Sequence, residues 1–153
     1  MSFKIRKAVL KDLPAVLDLI QELATFENEP KAVEVTVEEL QTDYAKNLFS
    51  CIVAVSDNKI VGLALYYNRY STWKGKTIHL EDLVVTQTHR GKGIGKALLN
   101  VIIAEAKKEG VRRVEWCVLD WNANAINFYE STGATILKDW YLVQLDKKGI
   151  ENF

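Results

Sequence analysis

Seven residues, Arg90-Gly-Lys-Gly-Ile-Gly-Lys96, constrain this chain more than any other stretch. A strand-like apolar run precedes them and an amphipathic helical pattern follows, so they must turn a strand into a helix. Ala97, Leu98, Leu99, Ile102, Ile103 and Ala106 recur at helical spacing, and Asn100, Glu105, Lys107 and Lys108 supply the wet face. Glycines at 91, 93 and 95 permit positive φ and close approach of backbone to a ligand. The unsatisfied amides of a helix start attract anions, which makes a phosphate-bearing ligand the natural partner. Their alternation fits neither the P-loop, which needs four residues between its first glycine and a Gly-Lys-Ser/Thr, nor the dinucleotide fingerprint. A purely structural glycine turn is the alternative, and Arg90, Lys92 and Lys96 weigh against it, because cations at a helix N-terminus oppose its dipole and need another reason to be there.

The run before the turn, Ile-His-Leu-Glu-Asp-Leu-Val-Val over residues 78–85, reads as a strand carrying paired carboxylates. Residues 111–119 read as another strand, and the helix between them stops at Gly110, a C-cap glycine. Strand, helix and strand then form a parallel crossover, with the turn at the carboxyl end of a strand, where open α/β sheets bind ligands. Upstream, residues 3–8 alternate as a first strand. Asp12 and Pro14 open a helix with Val16, Leu17, Leu19, Ile20 and Leu23 as its buried stripe, which ends in the acidic loop before Pro30. Thr36 followed by Glu39 is a capping box for a second helix. Residues 51–56 and 59–67 form a hairpin about Asp57-Asn58. Residues 70–76 form a loop with an exposed Trp73, residues 125–131 a short helix ending at Gly133, and residues 140–145 a last strand before a polar tail. The order is α+β, with a mostly antiparallel mixed sheet in a single domain over residues 1–153.

With 20 basic and 20 acidic side chains, nothing favours nucleic acid or a membrane surface as partner. No apolar run reaches the roughly 20 residues of a membrane span, and the first residues show no signal peptide. Cys51 and Cys117 lie in apolar runs and read as buried thiols of a reducing compartment, hence a cytoplasmic protein. Two histidines and two scattered cysteines predict no metal site. His79 and His89 read as structural or surface residues, and Cys117 as core.

Three motifs in order carry a resemblance: Leu80-Glu-Asp-Leu-Val-Val85, the glycine turn, and Asn122-Ala-Asn-Ala-Ile-Asn-Phe-Tyr129-Glu-Ser-Thr-Gly-Ala134. Over nearly its whole length the chain resembles a GNAT-superfamily N-acetyltransferase. Leu23-Ala-Thr-Phe-Glu27, Trp73 and the Leu-Glu-Asp strand are similar to the spermidine/spermine (diamine) and thialysine branch. The resemblance implies a GNAT-like sheet with helices on both faces and a splayed parallel strand pair as the acetyl-CoA cleft. It implies direct acetyl transfer from acetyl-CoA to a primary amine of a small cation, with no metal, in a family whose members are often dimers. By position, Leu83, Val84 and Val85 would hold pantetheine and the acetyl carbonyl. Arg90, Gly91, Lys92, Gly93, Ile94, Gly95 and Lys96 would hold the pyrophosphate, and Asn122 and Asn124 would line the pantetheine arm. Tyr129 would protonate the departing thiolate, and Phe26, Glu27, Trp73, Glu81 and Asp82 would meet the amine.

A primary amine titrates near ~10.4, so it arrives protonated and needs a base before it can attack. Glu81 is the expected base and Asp82 the cation partner, although the two could exchange roles. In a regular strand they point to opposite faces, unless a bulge re-aims one of them. A backbone N–H of residues 83–85 would steady the charge that grows on the thioester oxygen. Without the motif, Tyr129 would read as a core aromatic beside Phe128. Two other functions stay open on sequence alone: acetylation of protein lysines or N-termini, and a silent acyl-CoA-binding sensor.

Overall fold

A computed structural model describes residues 2–153. Residues 1–117 and 118–153 each make a compact unit. The first holds β1 (Lys4–Lys7), α1 (Leu13–Phe26), α2 (Val37–Ala45), β2 (Ser50–Ser56), β3 (Lys59–Ser71), β4 (Gly75–Val85), α3 (Ile94–Glu109) and β5 (Val114–Glu115). The second holds α4 (Ala123–Ser131) and α5 (Lys147–Glu151).

The five strands lie side by side in chain order. All neighbours are antiparallel except β4 and β5, which α3 joins as a parallel pair. The expected mixed, mostly antiparallel sheet is therefore present. On one face, Leu13, Val16 and Leu19 of α1 and Leu40 of α2 pack with Cys51, Val53, Leu63, Leu65 and Val84. On the other, α3 buries Ile94, Leu98, Leu99, Ile102 and Ala106. It lies so close to β3 that a Cβ on Gly62 would stand 3.2 Å from both Ile94 Cγ2 and Leu98 Cδ1. These two apolar layers fix the sheet between helices, as their stripes require.

Several local expectations hold. Thr36 Oγ1 accepts from Glu39 N while Glu39 Oε2 accepts from Thr36 N, the reciprocal cap of α2. Asp57 and Asn58 have φ of 48° and 60°, as a two-residue hairpin turn demands. Gly110 closes α3 at φ 66°.

Other expectations are corrected. Asp12 precedes α1 but its side chain does not cap it; the carboxylate accepts from Val9 N at 2.8 Å and from Arg6 at 2.6 and 3.1 Å. The hydrogen bond from Arg6 holds its carboxyl below the usual range. The strand expected over 111–119 shrinks to Val114–Glu115, and Cys117, beyond it, is exposed rather than core. Residues 140–145 form no strand, and Tyr141 and Val143 are almost fully exposed. Strand-forming side chains do not make a strand without a neighbour's edge to pair with. The polar tail instead winds into α5, capped by Asp146 accepting from Gly149 N. Among the described residues no helix is long and apolar enough to cross a membrane, and no group of three or more potential ligands could hold a metal.

Candidate active site

The carboxylate pair is organised by an irregularity in β4. Leu65 faces Asp82 but Tyr66 faces Leu80, so Glu81 is an extra residue, a bulge. Leu63 and Val84 are opposed and both belong to the core beneath α1 and α2. Asp82, two residues before Val84 and opposite Leu65, takes that same face. Glu81 reaches it as well, because its Oε2 accepts from the hydroxyl of Tyr67, two residues beyond Leu65 on β3, at 3.0 Å. One inserted residue thus cancels the alternation that would have separated the two acids.

Their environments differ. Glu81 is about half exposed, at 51% of its side chain. Asp82 is partly buried, and burial, aided by the charges of Glu81 and Glu27, pushes its carboxyl up to about 6. Burial also raises Glu27, at the C-terminal end of α1. The charges of Glu81 and Glu27 both reach Asp82, so an ammonium group beside it would be welcome.

Where β4 ends, the glycine turn begins. Gly91 and Gly93 adopt φ of 75° and 80°, and Gly93 starts α3 without any side-chain cap. The first hydrogen bond of the helix comes from Ala97 N to Gly93 O, so the amides of Ile94, Gly95 and Lys96 precede its ladder. A Cβ on Gly91 or Gly93 would meet nothing within 4 Å. At Gly95 it would meet only Val85 Cγ2, at an ordinary 3.8 Å. The protein's own packing therefore does not require a glycine at 95, and a bare helix start of this kind suits an anionic group seated against the backbone.

Arg90 has partners of its own within the protein. Its Nε donates to Val85 O at 2.9 Å, its guanidinium lies 3.8 Å from Glu22 Oε1, and it sits over the Phe26 ring at 5.2 Å. Glu22 also accepts from Thr86 Oγ1 and Gln87 N, both at 2.9 Å. The side chain is a strut tying the turn to α1, and Phe26 is part of that strut. Lys92 Nζ donates to Thr88 O within the turn.

Between carboxylates and turn, β4 runs on beyond its described parallel pairing. Its last parallel pair is His79 with Glu115, and residues 80–85 continue past the end of β5. The backbone of Leu83, Val84 and Val85 lies on this extension.

Residues 13–134 match the Acetyltransferase (GNAT) family. The chain belongs to that family. It is 35% identical over 148 residues to a thialysine N-epsilon-acetyltransferase of Mus musculus, covering 90% of this chain and 87% of that protein. It is 37% identical over 158 residues to spermidine/spermine N(1)-acetyltransferase-like protein 1 of Homo sapiens, covering 95% of this chain but spanning only 23% of that protein. An integron cassette protein of V. cholerae has the same fold, with a TM-score of 0.78 at 24% identity over 99% of this chain and 97% of that one.

In this acetyltransferase, not every expected residue joins the carboxylates. Trp73 sits at the tip of the β3–β4 hairpin, 79% exposed. Seven strand residues separate the hairpin tip from Asp82, roughly 20 Å at the usual rise. In the unit of residues 118–153, Asn122 Oδ1 accepts from Ala125 N at 3.3 Å and so caps α4. Asn124 is exposed in the first turn of α4, and the half-buried Tyr129 ring lies 5.4 Å from that of Phe128. Sequence reasoning overlooked Tyr67, Glu22 and Glu115. For Tyr67 a signal existed: the turn closing Ser71 on Gly75 sets a register that carries Tyr67 opposite His79, beside the bulge.

Proposed function

We propose that this acetyltransferase moves an acetyl group from acetyl-CoA to a primary amine of a small cationic substrate, a diamine, polyamine or thialysine-like amino acid, by direct attack in a ternary complex. The observation that carries the reading is the bulge at Glu81, which turns two carboxylates to one face of the strand that ends in the glycine turn. The names of the thialysine and spermidine/spermine relatives point to the same acceptor chemistry.

When bound, acetyl-CoA supplies an activated acyl carbon and a thiol leaving group. The chain supplies the rest. Amides at Gly91 to Lys96 receive the pyrophosphate, and the backbone of Leu83, Val84 and Val85 aligns the pantetheine and acetyl carbonyl, with Asn122 and Asn124 along the arm. Asp82 and Glu27 hold the cation. Glu81, hydrogen-bonded to Tyr67 and solvent-accessible, takes the proton that frees the amine. Tyr129 gives a hydrogen bond or proton to the departing sulfur. A second assignment has its own support: with its carboxyl pushed up to about 6, Asp82 is poised nearer the working range of a base than an ordinary aspartate.

The test is calorimetric titration with acetyl-CoA, followed by an assay of CoA release over a panel of diamines, polyamines, thialysine and lysine-containing peptides. Turnover of a small diamine or amino acid is expected. Acetyl-CoA binding with no turnover of any amine would favour a sensor, and turnover confined to peptides a protein acetyltransferase.

A further inference from the structure

Beside the carboxylates lies a histidine that the proposed chemistry leaves unused. His79 stands on β4 two residues before the bulged Glu81, with its side chain only 13% exposed. Its Nε2 lies 3.4 Å from Glu81 Oε2, the same oxygen that accepts from Tyr67. Its Nδ1 is buried, makes no hydrogen bond among the described residues, and lies 3.7 Å from Glu115 Oε1 across the parallel pair. The ring packs against Tyr67 with centroids 5.2 Å apart. Glu115 in turn meets Arg69 at 2.7 Å and Arg113 at 3.7 Å.

A buried ring nitrogen with no hydrogen bond is costly, and native structures keep few such atoms without a purpose. An imidazole with a carboxylate near each nitrogen can gain a proton at one nitrogen and release one from the other. We propose that His79 is a positioning residue for Glu81, relaying the substrate's proton from Glu81 toward Glu115. This rests on the acetyl-transfer reading with Glu81 as base. The balance is simple. The ammonium loses one proton to Glu81 and becomes the attacking amine. Glu81 passes that proton to Nε2, the imidazolium releases a proton from Nδ1 toward Glu115, and Glu115 yields it to solvent. Glu81 is left ionised, the imidazole is left with its proton on Nε2 and regains the Nδ1 tautomer by proton exchange before the next turnover, and no electron pair is oxidised or reduced.

The charged and titratable groups about the ring are Tyr67 from β3, Glu81 from β4 and Glu115 from β5, with Arg69 and Arg113 meeting Glu115 in turn. A pH experiment on His79 must therefore be read against variants of its two carboxylate neighbours.

Two measurements decide the matter. In steady-state assays, His79→Gln and His79→Phe should lower kcat by about tenfold or more. The KM for the amine and the affinity for acetyl-CoA should stay within about twofold, and the dependence of kcat on pH should change form. Glutamine can still donate to Glu81 but cannot relay, so full turnover by His79→Gln would overturn the proposal. The second measurement leaves His79 intact: long-range nitrogen NMR of the imidazole in wild type and in Glu81→Gln. Coupling through the ring requires the Nδ1 signal, on the side away from Glu81, to move in Glu81→Gln. An Nδ1 signal indifferent to that substitution would overturn the proposal. If the wild-type protein turns over no amine, the acetyl-transfer reading falls by itself, and the NMR response alone then decides whether Glu81, His79 and Glu115 share a proton.

Discussion

At the scale of single residues, the site keeps a carboxyl group where charge is disfavoured. Asp82 is raised to about 6, above the usual aspartate value, by burial and then by its acidic neighbours. The sign of the consequence follows from proton counting. Between roughly pH 4 and 6 the folded chain holds a proton that the unfolded chain has lost, so stability falls as pH rises through this window. At neutral pH the ionised Asp82 costs the fold on the order of 1–3 kcal/mol. Asp82→Asn should therefore melt several degrees above wild type at pH 7.5 and lose that advantage near pH 4. Equal differences at both pH values would show that Asp82 is not held in this way. The sequence announced both acids but not their shared face, since strand alternation predicts opposite faces. Only the register slip at Leu65/Tyr66 brings them together. In the same way, Arg90 was legible as a cation at a helix start, while its partner Glu22 lies on a helix remote in sequence.

At the scale of elements, two glycines have different reasons to be glycine. Gly62 lies under α3, where a Cβ would stand 3.1 Å from Val84 O and 3.2 Å from two side chains of the helix. Gly62→Ala should therefore destabilise the chain by about 1–3 kcal/mol through overpacking. Gly95 lies in the first turn of α3 with room for a Cβ. Gly95→Ala should leave the melting temperature unchanged or slightly higher, since alanine favours helix by about 0.5–1 kcal/mol, yet weaken acetyl-CoA binding at least tenfold. Melting curves and calorimetric titrations of both variants separate a packing glycine from a ligand glycine. Wild-type affinity in Gly95→Ala would remove that position from the cradle. Elements defined by local rules were legible in advance: the capping box of α2, the Asp57-Asn58 hairpin, and the stop of α3 at Gly110. Those needing a distant partner were not. The run 111–119 has strand-forming side chains throughout, but it pairs with β4 only at Val114–Glu115.

At the scale of the whole molecule, apolar layers pack on both faces of the sheet, and β4 runs on beyond its last parallel pair at His79. A ligand bound only by the folded chain stabilises it by mass action, by about 2.7 kcal/mol at a concentration 100 times its Kd. For a chain of this size that amounts to a rise of roughly 5–10 °C in melting temperature. Acetyl-CoA should produce such a rise in wild type and a smaller one in Gly95→Ala at the same concentration. A melt that does not move with acetyl-CoA would count against the cleft at the β4 edge.

By itself the sequence determined what depends on near neighbours: the capping box of α2, the hairpin, the glycine stop of α3, and the glycine turn from Arg90 to Lys96. Hydrogen bonds and steric limits act there within a few residues, so residue type and spacing carry them. Tertiary structure alone decided which side chains meet: Glu81 with Asp82 through a bulge, Tyr67 and His79 beside them, Glu115 from the neighbouring strand, and Glu22 beneath the turn. A register slip of one residue reverses every side chain beyond it, and that slip is set by how two sheet faces pack against their helices, which no local pattern records.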